Sequence, residues 1–170
     1  MPYDLLFGRV DQRHPLFEYI REAGISERAI MWFAEHPCPP SIIGMNYYLS
    51  SDRYMDHRIE LYPRSRVSRD RKYADVELVG VEGCQISGFG SILAEGWHRY
   101  RTPLAITEVH LGDQPKQQIR WLAEAWHDAK RLREKGVDVR ALTVWALLGS
   151  FYWNKLVVRE NGHYLSLIHI

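Results

Sequence analysis

One carboxylate in this sequence lies where a protein can use it for chemistry. Glu108 follows the apolar run of residues 104–107, and burying a glutamate in such a run is costly unless other groups hydrogen-bond to it. An ionised carboxylate held in this way can act as a nucleophile in covalent catalysis. A structural carboxylate is the alternative that the spacing leaves open. Glu108 is therefore a candidate nucleophile, and its role depends on the neighbours that the fold brings to it.

Three short apolar segments predict the β-strands that position Glu108. Residues 42–49, 104–109 and 139–148 are rich in β-branched and aromatic side chains. Each segment is nearly continuous rather than alternating, which is typical of parallel strands covered on both faces. Helices are predicted between and before these strands, at residues 26–36, 87–100 and 114–135. The alternation of strand and helix predicts an α/β fold with a parallel sheet.

Capping residues and apolar spacing define the predicted helices. Ser26 is placed as the N-cap of the first helix, which ends before Pro37. Asp113 and Gly136 are placed as the N-cap and the C′ residue of the last helix. The residues expected to face inward are Ile92, Leu93 and Trp97 in the middle helix, and Ile119, Leu122, Ala123, Trp126, Ala129 and Leu132 in the last.

Polar and aromatic residues follow the predicted strands, at the edge where parallel α/β sheets place their functional groups. The first strand ends with Asn46-Tyr47-Tyr48, and the third carries Trp145. Because side chains alternate along a strand, Asn46 and Tyr48 are expected on one face beside Glu108, with Tyr47 on the other. A tyrosine hydroxyl that donates to a carboxylate holds it ionised and oriented, as a nucleophile requires.

The composition bounds the class of protein. Of 170 residues, 46% are hydrophobic and 25% are charged, which is typical of a soluble globular domain. A formal net charge of +1 argues against a dedicated nucleic-acid or membrane-surface binder. Cys38 and Cys84 show neither metal-ligand spacing nor a disulfide framework, which favours a cytoplasmic protein without a bound metal. No Gly-x-Gly-x-x-Gly fingerprint occurs, so no dinucleotide cofactor is expected. The basic residues 62–71 predict a solvated loop.

Together the three strands resemble strands six, seven and eight of family 1 glycoside hydrolases, which are retaining (β/α)8 glycosidases. Residues 43–48 (IGMNYY) resemble the sixth-strand Gly-x-Asn-Tyr-Tyr, and residues 106–108 (ITE) resemble the seventh-strand Ile/Val-Thr-Glu. Residues 145–153 (WALLGSFYW) are similar to the eighth-strand Trp-Ser-Leu-x-Asp-Asn-Phe-Glu-Trp. The resemblance covers residues 42–164 and implies an α/β fold, part of a TIM (β/α)8 barrel with parallel strands and outer helices.

The resemblance implies a role for each residue at these strand ends. Glu108 would be the nucleophile, and Tyr48 would hydrogen-bond to it and orient it. Asn46 would help to position the acid/base region of the site. Trp145 would form the floor under the sugar ring, and Trp153 would lie near the sugar in the first subsite.

The sequence departs from the family pattern at several of these positions. Tyr152 replaces the glutamate that binds two sugar hydroxyls, and Gly149 and Ser150 replace an Asp-Asn pair. Val109-His110 replaces the Asn-Gly that follows the nucleophile. Tyr152 and His110 are kept as substrate-binding candidates, with a structural role as the alternative for His110. These changes imply a divergent subfamily with a different glycone, or one whose barrel has drifted in activity.

Retaining hydrolysis requires a second carboxyl group ~5–5.5 Å from the first. In the family it is a glutamate that follows an asparagine at the end of strand four, and no Asn-Glu dipeptide occurs in this sequence. A complete barrel needs about 250 residues. Residues 1–164 are therefore expected to be the C-terminal portion of a glycosidase-type barrel that is inactive without its N-terminal half. Residues 165–170 resemble a translated sequencing adapter and are expected to be a non-native tail.

The predicted function is retaining O-glycoside hydrolysis of the β-glucosidase or β-galactosidase type, with a carbohydrate or glycoside as substrate. Residues 103–112 and 138–154 also resemble bacterial proteins in which such a barrel precedes a dTDP-4-dehydrorhamnose reductase-like domain. One alternative is a noncatalytic sugar-binding or regulatory barrel attached to such a reductase. The other is a small α/β structural domain in which the motifs are coincidental.

Overall fold

The computed structural model describes residues 2–67, 72–111 and 115–145. The chain forms two compact units, residues 1–42 and 43–170. The first contains three short helices, α1 (Pro2–Leu6), α2 (Phe17–Glu22) and α3 (Glu27–Glu35). The Ser26 hydroxyl caps α3 as predicted, because it accepts a hydrogen bond from the Ala29 N–H at 3.3 Å. The core of this unit consists of Val10, Phe17, Ile20 and Ile30, with Leu5 and Met31 packed against them.

The second unit contains the three predicted strands and two helices, together with a hairpin that the sequence pattern does not predict. Its elements are β1 (Ile43–Asn46), β2 (Arg53–Asp56), β3 (Ala74–Glu77), α4 (Gly88–Tyr100), β4 (Leu104–Val109), α5 (Pro115–Glu134) and β5 (Val139–Val144). Single turns of 3-10 helix occur at Ile59–Leu61, Arg64–Arg66 and Leu78–Gly80. β1, β4 and β5 form a parallel sheet in that order. The predicted α/β fold class is confirmed.

Helices cover one face of the parallel sheet. Residues on this face are fully buried, namely Ile43, Leu104 and Ile106. α4 approaches the sheet so closely at Gly96 that a side chain there would collide with the Met45 methyl group and contact Leu104. On the other face, Gly44 and Thr107 are exposed. Ala105, which pairs with Gly44 on this face, is nevertheless buried. The prediction that both faces are covered therefore fails at Gly44 and Thr107 but not at Ala105.

α5 ends at the predicted glycine. Gly136 has a φ of +84°, which glycine adopts without steric cost. Its N–H donates to the Arg133 carbonyl at 2.9 Å, and the Val137 N–H donates to the Leu132 carbonyl at 3.0 Å. These two bonds form a Schellman motif, in which the buried Leu132 and Val137 face each other. The predicted N-cap, Asp113, lies outside the described residues.

The buried faces of α4 and α5 differ in part from the predicted stripes. In α4, Leu93 is fully buried, whereas Ile92 and Trp97 are half-buried. In α5, Ala129 and Leu132 are buried as predicted, whereas Ile119 and Trp126 are 53% and 59% exposed. Trp121 and Ala125 are buried instead. The reason is that α5 packs against α4 as well as the sheet, with the Trp121 ring 4.8 Å from the Phe89 ring, so its buried face is rotated toward α4.

The unpredicted hairpin lies between β1 and α4. β2 and β3 pair antiparallel from Arg53 with Glu77 to Asp56 with Ala74. The fully buried Asp56 carboxylate accepts hydrogen bonds from the Arg58 guanidinium and, at 2.9 Å, from the Tyr62 hydroxyl. The neighbouring residues 63–66 are exposed, as expected of the basic stretch.

Candidate active site

Parallel pairing brings the ends of β1, β4 and β5 to one edge of the sheet. Asn46 at the end of β1 pairs with Glu108 of β4, and Val109 pairs with Val144 of β5. The Trp145 N–H then donates to the Val109 carbonyl at 3.0 Å. The residues that the sequence singled out on three separate segments are therefore neighbours in the folded unit.

Glu108 and Tyr48 form the central contact of this edge. The Tyr48 hydroxyl donates a short hydrogen bond to the Glu108 carboxylate, across 60 positions of sequence. Both side chains are half-buried. Burial, followed by the bond to Glu108, raises the pKa of Tyr48 above its ordinary value. Tyr48 therefore stays protonated at neutral pH and remains a donor to the carboxylate.

The backbone of Asn46 pairs with Glu108, and its side chain bonds to Thr107. Its amide oxygen accepts a hydrogen bond from the Thr107 hydroxyl at 2.5 Å. The register between β1 and β4 shifts between Met45 and Asn46, where the strand ends. The period of two does not continue past this irregularity. Tyr48 bonds to Glu108 itself, whereas the Asn46 side chain bonds to Thr107, the residue before it.

His110 lies two residues after Glu108 and is 6% exposed. Its ring meets the Trp145 ring edge-to-face, with the centroids 5.4 Å apart. Neither ring nitrogen makes a hydrogen bond of normal geometry within the described residues. Burial lowers the pKa of His110, so the imidazole is neutral at pH 7 and carries one donor and one acceptor.

A small cleft adjoins this edge. Its volume is about 220 Å³, and the residues that line it are Tyr48, Leu49, Ser50, Glu77, Val79, His110 and Leu111. It therefore combines the tyrosine that contacts Glu108, the buried imidazole and the end of the hairpin. A larger hollow of about 590 Å³ lies between α5 and β5. No candidate site residue among the described residues lines that hollow, whereas Tyr48 and His110 line the smaller cleft.

Tyr47 points away from Glu108, as predicted, and joins a network that the sequence does not reveal. Its hydroxyl donates to the Asp52 carboxylate at 2.7 Å and accepts from the Gly88 N–H at 2.8 Å. The same carboxylate accepts from the Ser87 N–H at 2.6 Å and from the Ser87 hydroxyl at 3.2 Å. The partners of Asp52 are 5 and 35 positions away in the sequence, and no periodic pattern connects them.

The burial of this network perturbs both of its ionisable groups. Burial and the bond to Asp52 raise the pKa of Tyr47 to about 12. Burial alone would raise the pKa of Asp52, but the hydrogen bonds from Tyr47 and Ser87 outweigh it and lower that pKa below its usual range. At neutral pH the pair is therefore a neutral phenol donating to a carboxylate anion.

Two further candidates, Tyr152 and Trp153, lie outside the described residues, as do Gly149 and Ser150. Within the described ranges, no cluster of three or more His, Cys, Asp or Glu side chains is arranged to hold a metal ion. The described helices include none with the length and apolarity needed to cross a membrane.

Comparison with solved structures finds this fold in a family 1 β-glucosidase from Thermotoga maritima. One structure of that enzyme matches with a TM-score of 0.63 and 20% sequence identity, covering 98% of this chain and 38% of that chain. Its complex with deoxynojirimycin matches with a TM-score of 0.61 and 20% identity over the same shares. Its complex with methyl acetic acid-substituted glucoimidazole matches with a TM-score of 0.62 and 21% identity, covering 93% of this chain and 37% of that chain.

These matches establish the fold of the chain as part of a (β/α)8 barrel. The chain spans less than two-fifths of the length of the structures that it matches. No protein-family model and no curated protein matches its sequence.

Proposed function

We propose that this chain supplies the nucleophile side of the active site of a retaining O-glycosidase of the β-glucosidase or β-galactosidase type. The observation that carries the proposal is the hydrogen bond from Tyr48 to Glu108 at the carboxyl ends of two neighbouring parallel strands. In (β/α)8 barrels this end of the strands holds the catalytic groups. A single donated hydrogen bond fixes one carboxylate oxygen and leaves the other for attack on an anomeric carbon.

The mechanism follows from this pair. The Glu108 carboxylate attacks the anomeric carbon while an acid/base carboxyl group protonates the departing oxygen, which gives a covalent glycosyl-enzyme. Water then gives a proton to that acid/base group and attacks the same carbon, and the Glu108 carboxylate leaves with its negative charge restored. Tyr48 orients the carboxylate before the first step and stabilises the charge that returns in the second.

Retention also requires an acid/base carboxyl group ~5–5.5 Å from the nucleophile. We propose that a part of the barrel outside these 170 residues supplies it, on a strand that this chain does not contain. The comparisons are compatible with this, since they match little more than a third of a complete glycosidase chain. On this proposal the 170-residue chain alone does not turn over glycosides.

Four other residues are proposed to contact the substrate. Trp145 would lie under the sugar ring, and His110 beside it would bind a sugar hydroxyl with its neutral imidazole. Tyr152 and Trp153 would complete the glycone subsite. Asn46, whose amide oxygen accepts from the Thr107 hydroxyl, is also proposed to bind substrate and to help position the acid/base region.

The test uses the complete natural protein that contains this chain. Treatment with a 2-deoxy-2-fluoro-β-glucoside carrying a dinitrophenolate leaving group should trap the glycosyl-enzyme. Peptide mass spectrometry should then find the sugar on Glu108, and Glu108→Gln should abolish both the label and the hydrolysis of aryl β-glycosides. The matched control is Glu95→Gln, an exposed carboxylate on α4, which should keep both.

Hydrolysis that survives Glu108→Gln, or a label on another carboxylate, would refute the proposal. Binding of deoxynojirimycin without labelling or turnover would instead support a sugar-binding barrel without catalysis. The replacement of the family's glycone-binding glutamate by Tyr152 is the feature that favours this second function. Association with a sugar-nucleotide reductase domain and a cytoplasmic location remain predictions from the sequence.

A further inference from the structure

We infer that Asp52 is a positioning residue for the nucleophile, which it serves by anchoring Tyr47 and thereby holding the Tyr48 hydroxyl on Glu108. The inference rests on the proposed function of Glu108, and it adds a residue that the sequence motifs do not include. Asp52 is not among the described residues that line the cleft beside Glu108. Its effect on the site must therefore pass through the two consecutive tyrosines.

The first step of the argument concerns Tyr47. Its ring is 3% exposed and packs against the Phe89 and Trp121 rings, with centroids 5.1 and 5.9 Å away. Its hydroxyl is both donor and acceptor, to Asp52 and from Gly88. A buried phenol that loses such a partner is costly to leave unsatisfied. Ring packing alone would allow Tyr47 to slide along its own axis, and the two hydrogen bonds at its tip prevent this.

The second step concerns Asp52 itself. Its side chain accepts from Tyr47 and from Ser87, at the start of α4, while its backbone carbonyl accepts from the Leu78 N–H at 2.9 Å, at the end of the hairpin. Three segments therefore meet at one residue: the end of β1, the hairpin and the first turn of α4. The first N–H groups of a helix lack partners within the helix, and the negative carboxylate of Asp52 is favourable there.

The third step connects this anchor to the chemistry. Tyr48 directly follows Tyr47, and its backbone is fixed by Ser51: the Tyr48 N–H donates to the Ser51 hydroxyl at 2.8 Å, and the Ser51 N–H donates to the Tyr48 carbonyl at 2.9 Å. Asp52 is the next residue. The turn of residues 48–51 is thus held at both ends, by Tyr47 and by Asp52, which are bonded to each other. The phenol of Tyr48 can then point only to the side opposite Tyr47, where Glu108 lies.

The experiment compares variants of the complete natural protein with tyrosines labelled with ¹³C at Cζ. Tyr48→Phe assigns the signal of Tyr48, and Glu108→Ala shows its position when the hydrogen bond is lost. Asp52→Ala should move the Tyr48 signal toward the Glu108→Ala position. It should also lower kcat on aryl β-glycosides by roughly 10- to 100-fold with little change in KM, as expected when a reacting group is misplaced by about 1 Å.

Tyr62→Phe is the matched control, because it removes another hydrogen bond from a phenol to an aspartate, at 2.9 Å to Asp56 in the hairpin. It should leave the Tyr48 signal and kcat unchanged. Asp52→Asn, which keeps an acceptor for Tyr47 or Ser87, should give an intermediate shift. If Asp52→Ala does not fold, the Tyr48 signal and kcat of Asp52→Asn and Tyr47→Phe test the inference instead.

A Tyr48 signal that stays at its wild-type position in the folded Asp52 variants would overturn the inference, as would a wild-type kcat. If the wild-type protein hydrolyses no glycoside, the proposed function fails, while the tyrosine signal still decides whether Asp52 positions Tyr48. The two failures are therefore distinguishable.

Discussion

Replacing Tyr48 by phenylalanine removes one hydroxyl and leaves the ring that fills the space beside Glu108. The bond that is lost has an ionised acceptor, and hydrogen bonds to charged groups contribute about 1.5–3 kcal/mol. Since 1.36 kcal/mol corresponds to a tenfold change in rate, the largest loss expected is roughly 10- to 150-fold.

The loss of the hydrogen bond from Tyr48 should slow the two chemical steps to different extents. In the first, the carboxylate gives up charge as it attacks, so a bond that stabilises the charge contributes orientation only. In the second, charge returns to the carboxylate as it leaves, and the hydroxyl of Tyr48 stabilises the transition state directly. We therefore expect Tyr48→Phe to slow deglycosylation more than glycosylation.

The assay is stopped-flow hydrolysis of a 2,4-dinitrophenyl β-glucoside by the complete natural protein. Its good leaving group makes the first step fast. The variant should release a burst of dinitrophenolate equal to the enzyme concentration, followed by a slow steady state, with kcat reduced more than kcat/KM. Tyr62→Phe should behave as wild type. A Tyr48→Phe enzyme with kcat within twofold of wild type and no burst would refute the reasoning.

Three further predictions concern the fold. The Arg58 hydrogen bonds hold the pKa of Asp56 well below its usual range. The stability that they contribute is therefore complete above the pKa of the unfolded chain, about pH 4, and is lost as the pH falls below it. In urea titrations between pH 6 and 3, the free energy of unfolding should fall less in Asp56→Asn than in the wild type. Gly44→Ala places a Cβ 2.8 Å from Thr107 Cγ2 and should destabilise the protein by about 1–3 kcal/mol, with partial rescue by Thr107→Ser, measured by denaturant unfolding. The 170-residue chain expressed alone should self-associate through its exposed strand edges and apolar helix faces, and Trp126→Lys should reduce that association in sedimentation velocity.

The sequence predicts the regular elements of the sheet unit well where the local signal is strong. β4 has the predicted bounds because its six residues are almost all apolar. Ser26 predicts where α3 begins and Gly136 predicts where α5 ends, because the chemistry of these residues allows few other roles. The hairpin is missed because β2 and β3 have four residues each, mostly charged or polar. Their pairing depends on contacts about 20 positions apart rather than on a local pattern.

The candidate site divides in the same way. The contact between Tyr48 and Glu108 is predictable, because the order of the motifs places them together at the ends of neighbouring strands. The hydrogen bond of the Asn46 side chain to Thr107 is not predictable, because the register between β1 and β4 shifts at Asn46. The anchor at Asp52 is also beyond the sequence pattern, since an aspartate in a polar turn is usually a solvated residue. Only the fold brings Ser87 and Tyr47 to it.

The division of labour between the two consecutive tyrosines explains why β1 must end where it does. If β1 continued as a strand, the backbone groups of Tyr48 would be used in the ladder with β4, and its side chain would be fixed by the pleat. Ser51 satisfies those groups instead, in a turn that leaves the strand direction. The backbone is then free to send Tyr47 into the core below the sheet and Tyr48 toward Glu108. A short strand followed by a hydrogen-bonded turn thus lets one tyrosine stabilise the fold while its neighbour serves the chemistry, and it explains why a change at Asp52, remote from any substrate, should be felt at the nucleophile.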